Sequence, residues 1–209
     1  MSEEQYKDTY LTVVSPAEEP PVYKEKGSKF FGYAFPVENV EQVQEFLRQL
    51  HGEHHAARHI CYAYRLGPHG DIFRANDDGE PSGTAGLPIY NQLLSFGVTD
   101  TLVAVVRYFG GILLGASGLV SAYKQAARMA LEAVKIEERI VCRSVEARFG
   151  YEQLSAVMRL VKDCDLTILE QDMREKCRLR LSARLSAEPA VRAALQNIYG
   201  VELSPEDPE

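Results

Sequence analysis

Apolar residues recur along this chain with two periods, and the changes between the periods mark out its elements. Tyr10-Leu11-Thr12-Val13-Val14 reads as a strand, and the segment from Pro16 to Pro21 is too rich in proline and acid to be regular, so an edge strand and a loop come first. Phe30-Phe31-Gly32-Tyr33-Ala34-Phe35 has aromatic strand propensity, and Pro36 ends its ladder. Val40, Val43, Phe46, Leu47 and Leu50 then fall at helical spacing, which predicts a helix over 38–50. Ile60–Tyr64 reads as a strand, with Ile72-Phe73 as a short partner across the turn Gly67-Pro68-His69-Gly70. Leu87–Phe96 is a short helix introduced by Pro88, and Thr101–Phe109 is a nearly unbroken apolar run, as for a strand buried on both faces. From Ser117 or Gly118 to about Val134, Leu119, Ala122, Tyr123, Ala126, Met129, Ala130 and Ala133 keep a 3.6-residue period.

The pattern resets at Lys135-Ile136-Glu137-Glu138, which predicts a boundary between domains 1–136 and 137–209. Beyond it come Arg139–Phe149 as strand, Glu152–Lys162 as helix, Leu166–Gln171 and Arg174–Leu185 as strands, Pro189–Tyr199 as helix and Val201–Leu203 as a last short strand. That β-α-β-β-α-β order is the ferredoxin-like split unit, one antiparallel sheet with both helices on one face. The expected fold class is therefore α+β in two domains.

Composition narrows the function classes. With 45% hydrophobic and 25% charged residues the chain can bury an ordinary core without staples. The four cysteines are widely spaced, and Cys61, Cys142 and Cys177 lie inside apolar strand-like runs, so small core residues are expected rather than zinc ligands or disulfides. No apolar run approaches the roughly eighteen residues of a membrane span. The start Met1-Ser2-Glu3-Glu4-Gln5 is acidic where a secretory signal is basic, so a cytoplasmic place is expected. A net charge of -7 opposes general attraction to nucleic acid while leaving room for a local basic patch. The acids Glu202, Glu206, Asp207 and Glu209 crowd the tail, and the second domain is slightly basic before them.

The densest chemistry runs from Asp77-Asp78-Gly79-Glu80-Pro81-Ser82-Gly83-Thr84-Ala85-Gly86 to Arg107-Tyr108-Phe109-Gly110-Gly111. Asp77, Asp78 and Glu80 are hard oxygen donors suited to magnesium, with His59 as a possible base, which gives a metal-assisted hydrolase as one reading. Aspartate and glycine also make good turns, and no second motif completes a catalytic set. No catalytic residue, metal or cofactor is therefore assigned. His51, His54 and His55 read as solvated surface residues, since Gly52 weakens the helix that would align them. Arg107 has two readings: a fork for a phosphate or carboxylate, with an exposed ring beside it for stacking, or a clip to Asp77, Asp78 or Glu80. In the second domain Arg174, Lys176, Arg178, Arg180 and Arg184 share one parity of a strand whose other parity is apolar. A plain solvated face leads there, with phosphate contact as the alternative.

At Lys26-Gly27-Ser28-Lys29-Phe30, Ala57-Arg58-His59, the Asp77–Gly86 stretch and Val105–Gly115 the chain resembles the YigZ/IMPACT family, specifically over 24–135. The resemblance implies a first domain similar to the second domain of ribosomal small-subunit protein five, followed by a ferredoxin-like domain similar to the last domain of elongation factor G. Eukaryotic members carry a different partner-binding module in front and compete for an activator of a stress kinase; that connection is not carried over. For the bacterial branch the resemblance implies a role near translation or RNA. Joined to the anion-suited residues, it leads to the expectation of a non-enzymatic cytoplasmic binding protein with RNA, the ribosome or a translation factor as partner and no membrane. A pure protein–protein adaptor is the further alternative. The binding residues expected are Arg58, His59, Asp77, Asp78, Glu80, Thr84, Arg107, Tyr108, Gly110 and Gly111, with Arg174, Lys176, Arg178 and Arg180 in the second domain.

Overall fold

Thr101–Tyr108 (β6) is buried along almost its whole length, because apolar side chains leave the strand in both directions and each face of its sheet is covered. In a computed structural model describing residues 8–174 and 176–205, the chain divides into two compact units, Tyr10–Arg139 and Met1–Thr9 with Ile140–Glu209. The acidic start and the tail acids Glu206, Asp207 and Glu209 lie outside the described residues.

The first unit is built on a five-stranded antiparallel sheet. Its strands are Val22–Glu25 (β2), Ser28–Pro36 (β3), Thr101–Tyr108 (β6), His59–Leu66 (β4) and Ile72–Asn76 (β5), in that spatial order. Val40–Glu53 (α1) packs Val43, Leu47 and Leu50 on one face, against Phe35, Ile60, Tyr64, Leu102, Ala104 and Val106. Gly86–Phe96 (α2) and Gly115–Glu132 (α3) cover the other face, over Phe30, Ala34, Cys61, Ala63, Val103 and Val105. Thr9–Val13 (β1) and Ile136–Ile140 (β7) pair as a separate ribbon.

The second unit has the ferredoxin-like order. Glu202–Leu203 (β11), Cys142–Phe149 (β8), Cys177–Arg184 (β10) and Thr167–Met173 (β9) lie side by side, all antiparallel. Leu154–Asp163 (α4), entered through a 3-10 turn at Tyr151–Gln153, and Glu188–Gln196 (α5) contribute Val157, Val161, Val191 and Leu195 to a core over Val145, Ala147, Leu179 and Leu181. The expected strand over Arg139–Phe149 is two strands. Its break falls at Val141, whose N–H donates to the Asp8 carbonyl at 2.6 Å and whose carbonyl accepts from Leu185. The cysteine expectation holds for Cys61 and Cys177, which are buried, and fails for Cys142 and Cys164, which are exposed. Cys142 has the parity of Ser144 and Glu146, opposite to the core side chains of β8.

Candidate functional site

The family-like stretches converge at one end of the first unit's sheet, because the β3, β4 and β6 registers bring Phe30 and His59 to either side of Arg107. The β2–β3 hairpin turns through Lys26 and Gly27, with φ values of 44° and 79°, a pair of positive angles suited to a tight hairpin. Gly110 lies against that turn so closely that a Cβ there would stand 1.9 Å from the Gly27 carbonyl carbon. The Gly110 N–H also donates to Ser28 Oγ at 3.1 Å. Gly110 is thus a place of backbone contact within the fold, which explains why glycine stands there.

The acidic loop after β5 is fastened by its own carboxylates. Asp77 accepts the N–H groups of Gly83, Ala85 and Gly86 at 2.9, 2.9 and 2.8 Å, at the entry to α2. Burial alone would raise the Asp77 carboxyl, and the donors of Gly83, Gly86 and Ala85 outweigh it, holding the group below its ordinary range. Asp78 takes a positive φ of 43°, accepts the Ile60 N–H on Oδ2 at 2.6 Å, and presents its carbonyl to His59 Nδ1 at 2.7 Å. Since a carbonyl only accepts, Nδ1 carries the proton, and in the neutral ring Nε2 is left as an acceptor. Thr84 is buried, with its hydroxyl on the Pro81 carbonyl at 2.6 Å. Among the described residues no three of His, Cys, Asp and Glu are grouped to hold a metal ion.

Glu80 faces inward instead. Its Oε1 accepts Arg107 Nη1 at 2.5 Å and the Tyr123 hydroxyl at 2.8 Å, and the two charged side chains are only 7% (Arg107) and 4% (Glu80) exposed. The clip is therefore the reading the structure supports, and an outward-facing Arg107 fork is not what forms. Arg107 shares its strand parity with Val103 and Val105, so its side chain enters the layer beneath α3, with the Phe30 and Phe109 rings 5.5 and 5.7 Å from the guanidinium carbon. Its Nε is buried without a hydrogen-bond partner. Tyr123, read in the sequence only as a core residue of α3, supplies the second donor. A buried tyrosine needing a partner for its hydroxyl is the one signal that points to it.

Strand alternation sends Tyr108 to the opposite face, away from Arg107, so the two do not share a site. The Tyr108 hydroxyl meets His54 Nδ1 at 2.9 Å, and His54 Nε2 meets the Tyr33 hydroxyl at 2.6 Å. His54 is a half-buried bridge between the end of α1 and the sheet, contrary to the surface position expected. Burial lowers its pKa, and burial chiefly pushes Tyr33 up to about 12.

Around the Glu80–Arg107 pair opens a cavity of about 420 Å³, lined by Arg58, His59, Pro81, Phe109, Leu113, Leu114, Leu119 and the first turn of α3. The exposed ring beside it is Phe109, at 48%, and the loop continues with Ile112 and Leu113, the latter 83% exposed. Gly111 takes a φ of 88° in this loop.

In the second unit the β10 arginines stand on the open sheet face, and their neighbours carry acids. Arg178 lies 3.5 Å from both Glu146 and Glu170, Arg180 reaches Glu170 at 3.5 Å, and Arg174 pairs with Asp172 at 3.4 Å. Lys176 is exposed. The uniform basic stripe seen along one strand becomes a mixed-charge lattice once β8 and β9 flank it, since cross-strand neighbours on one face meet.

These features define a two-unit α+β protein whose motif residues assemble a buried ion pair under a largely apolar cavity. Residues 26–131 match the Impact N-terminal domain family. The chain is 35% identical to the IMPACT family member YvyE of Bacillus subtilis over 162 residues, covering 78% of this chain and 74% of that one. It is also 35% identical to the IMPACT family member YigZ of Escherichia coli over 171 residues, covering 81% of each. A crystal structure described as that of an hypothetical protein superposes with a TM-score of 0.72 at 30% identity, covering 97% of this chain and 99% of the other. The chain belongs to the IMPACT family.

Proposed function

We propose that this protein is a non-enzymatic binding protein acting near translation, and that it docks a protein component of that machinery on the cavity and loop at the end of the first unit's sheet. The observation that carries this reading is the run of exposed apolar side chains, Phe109, Ile112 and Leu113, at the mouth of the cavity. Exposed apolar groups gathered beside a concave site are what a protein surface seats on. Membership of the IMPACT family supports the setting in translation. A protein partner is favoured over RNA because the net charge is -7, the charge of Arg107 is already paired with Glu80, and the β10 arginines face acids.

Co-sedimentation with ribosomes of the source cells tests it. Association is expected to persist at raised salt, to survive nuclease treatment of the ribosomal fraction's exposed RNA, and to be lost in Leu113→Asp, a substitution at a solvent-facing position. Association that falls steeply with salt and is untouched by Leu113→Asp would mean a nucleic-acid contact and overturn the reading.

A further inference from the structure

We propose that the cavity beside Arg107 binds a single carboxylate carried on an apolar body, held between Arg58, the Arg107 guanidinium and the first turn of α3. The inference deepens the reading above and rests on it only for the place of the site.

Three independent features converge there. The first is α3, an 18-residue helix that starts at Gly115 with no side-chain cap and brings Leu114, Gly115 and Ala116 to the cavity wall. Its first-turn N–H groups and the positive end of its dipole favour an anion. The second is Arg107. Glu80 occupies Nη1, while Nε is buried without an acceptor in a side chain that borders the cavity. In an arginine the Nε–H and one Nη2–H lie parallel on one edge, the geometry that a carboxylate matches with its two oxygens. A buried donor left open in this way has a strong preference for an incoming acceptor.

The third is the balance of charge and polarity. Arg58 and Arg107 oppose Glu80 around the cavity, which leaves an excess of one positive charge. One carboxylate neutralises it, whereas a phosphate dianion overshoots and sits against the Glu80 carboxylate. The remaining walls, Pro81, Phe109, Leu113 and Leu119, are apolar and suit an aliphatic or aromatic body. Two sources carry this chemistry: a free apolar acid, and the C-terminal residue of a polypeptide.

Amide-resolved NMR titration of the full chain separates the possibilities. The probes are 3-phenylpropionate, its amide, inorganic phosphate, and a leucine-terminated hexapeptide as free acid and as amide. The expected result is that a carboxylate shifts the signals of Leu113 and Gly115 to Ser117, with affinity at least roughly tenfold above the matching amide. Ala116→Trp, at an exposed position on the cavity wall, is expected to abolish these shifts, and Arg58→Ala to weaken binding by roughly tenfold. Tighter binding of phenylpropionate than of the peptide acid assigns the free acid as source, and the reverse assigns the chain terminus. Equal response to acid and amide, stronger response to phosphate, or no response to any probe overturns the inference. Carboxylate binding without ribosome association leaves this inference standing and removes the docking reading; ribosome association without carboxylate binding does the reverse.

Discussion

Glu80 and Arg107 owe their meaning to burial. In water such a pair contributes little, but inside the first unit each charge depends on the other, and Tyr123 adds a hydrogen bond to the same oxygen. Glu80→Ala leaves Arg107 buried and unpaired and is expected to cost about 3–5 kcal/mol. Tyr123→Phe removes only one donor and is expected to cost about 1–2 kcal/mol. Urea unfolding followed by circular dichroism measures both, and equal losses from the two variants would show that the pair is not the main support. His54 gives a second test at this scale. Its folded pKa lies below the ordinary 6.5, so between those two values the unfolded chain binds the extra proton and stability rises with pH. Stability from this group is complete above about 6.5 and declines as pH falls through the window beneath it. The urea midpoint should therefore drop between about pH 7 and pH 5.5, and His54→Gln should flatten that drop.

The elements bearing these residues are held by backbone contacts. Gly110→Ala forces a methyl group into the Gly27–Ser28 peptide and is expected to lower the melting temperature more than Gly111→Ala, where the side chain meets open space and only the positive φ is penalised. Asp77→Ala removes the acceptor for three N–H groups at the entry to α2 and is expected to cost about 1–3 kcal/mol by chemical unfolding. Much of this layer was legible in the sequence, because periodicity states which way side chains point. The doubly buried β6, the three helices of the first unit and the order of the second follow from it. Val22–Glu25 carries no strand pattern of its own, being short, half charged and preceded by prolines, so only its pairing with β3 makes it a strand. The joint at Val141 has no local mark in a stretch of unbroken strand propensity, since it is tied by a hydrogen bond to distant Asp8. At the site, the separation of Tyr108 from Arg107 was readable from strand alternation, whereas the choice of Glu80 over Asp77 and Asp78 as partner depends on how a loop folds back and left no local pattern.

Seen as a whole, the chain is an IMPACT-family protein of two α+β units that carry charge differently. The second unit matches arginines with acids across neighbouring strands of an open sheet face. The first unit draws Glu80 and Arg107 inward and shows apolar side chains at a cavity. The docking we propose is accordingly placed on the first unit and not on the arginine row. The most direct measurement is ribosome co-sedimentation of Leu113→Asp beside the double variant Arg178→Glu/Arg180→Glu, both checked for folding by circular dichroism. The account predicts that Leu113→Asp loses association while the arginine variant keeps it; retention by Leu113→Asp with loss in the arginine variant would contradict it.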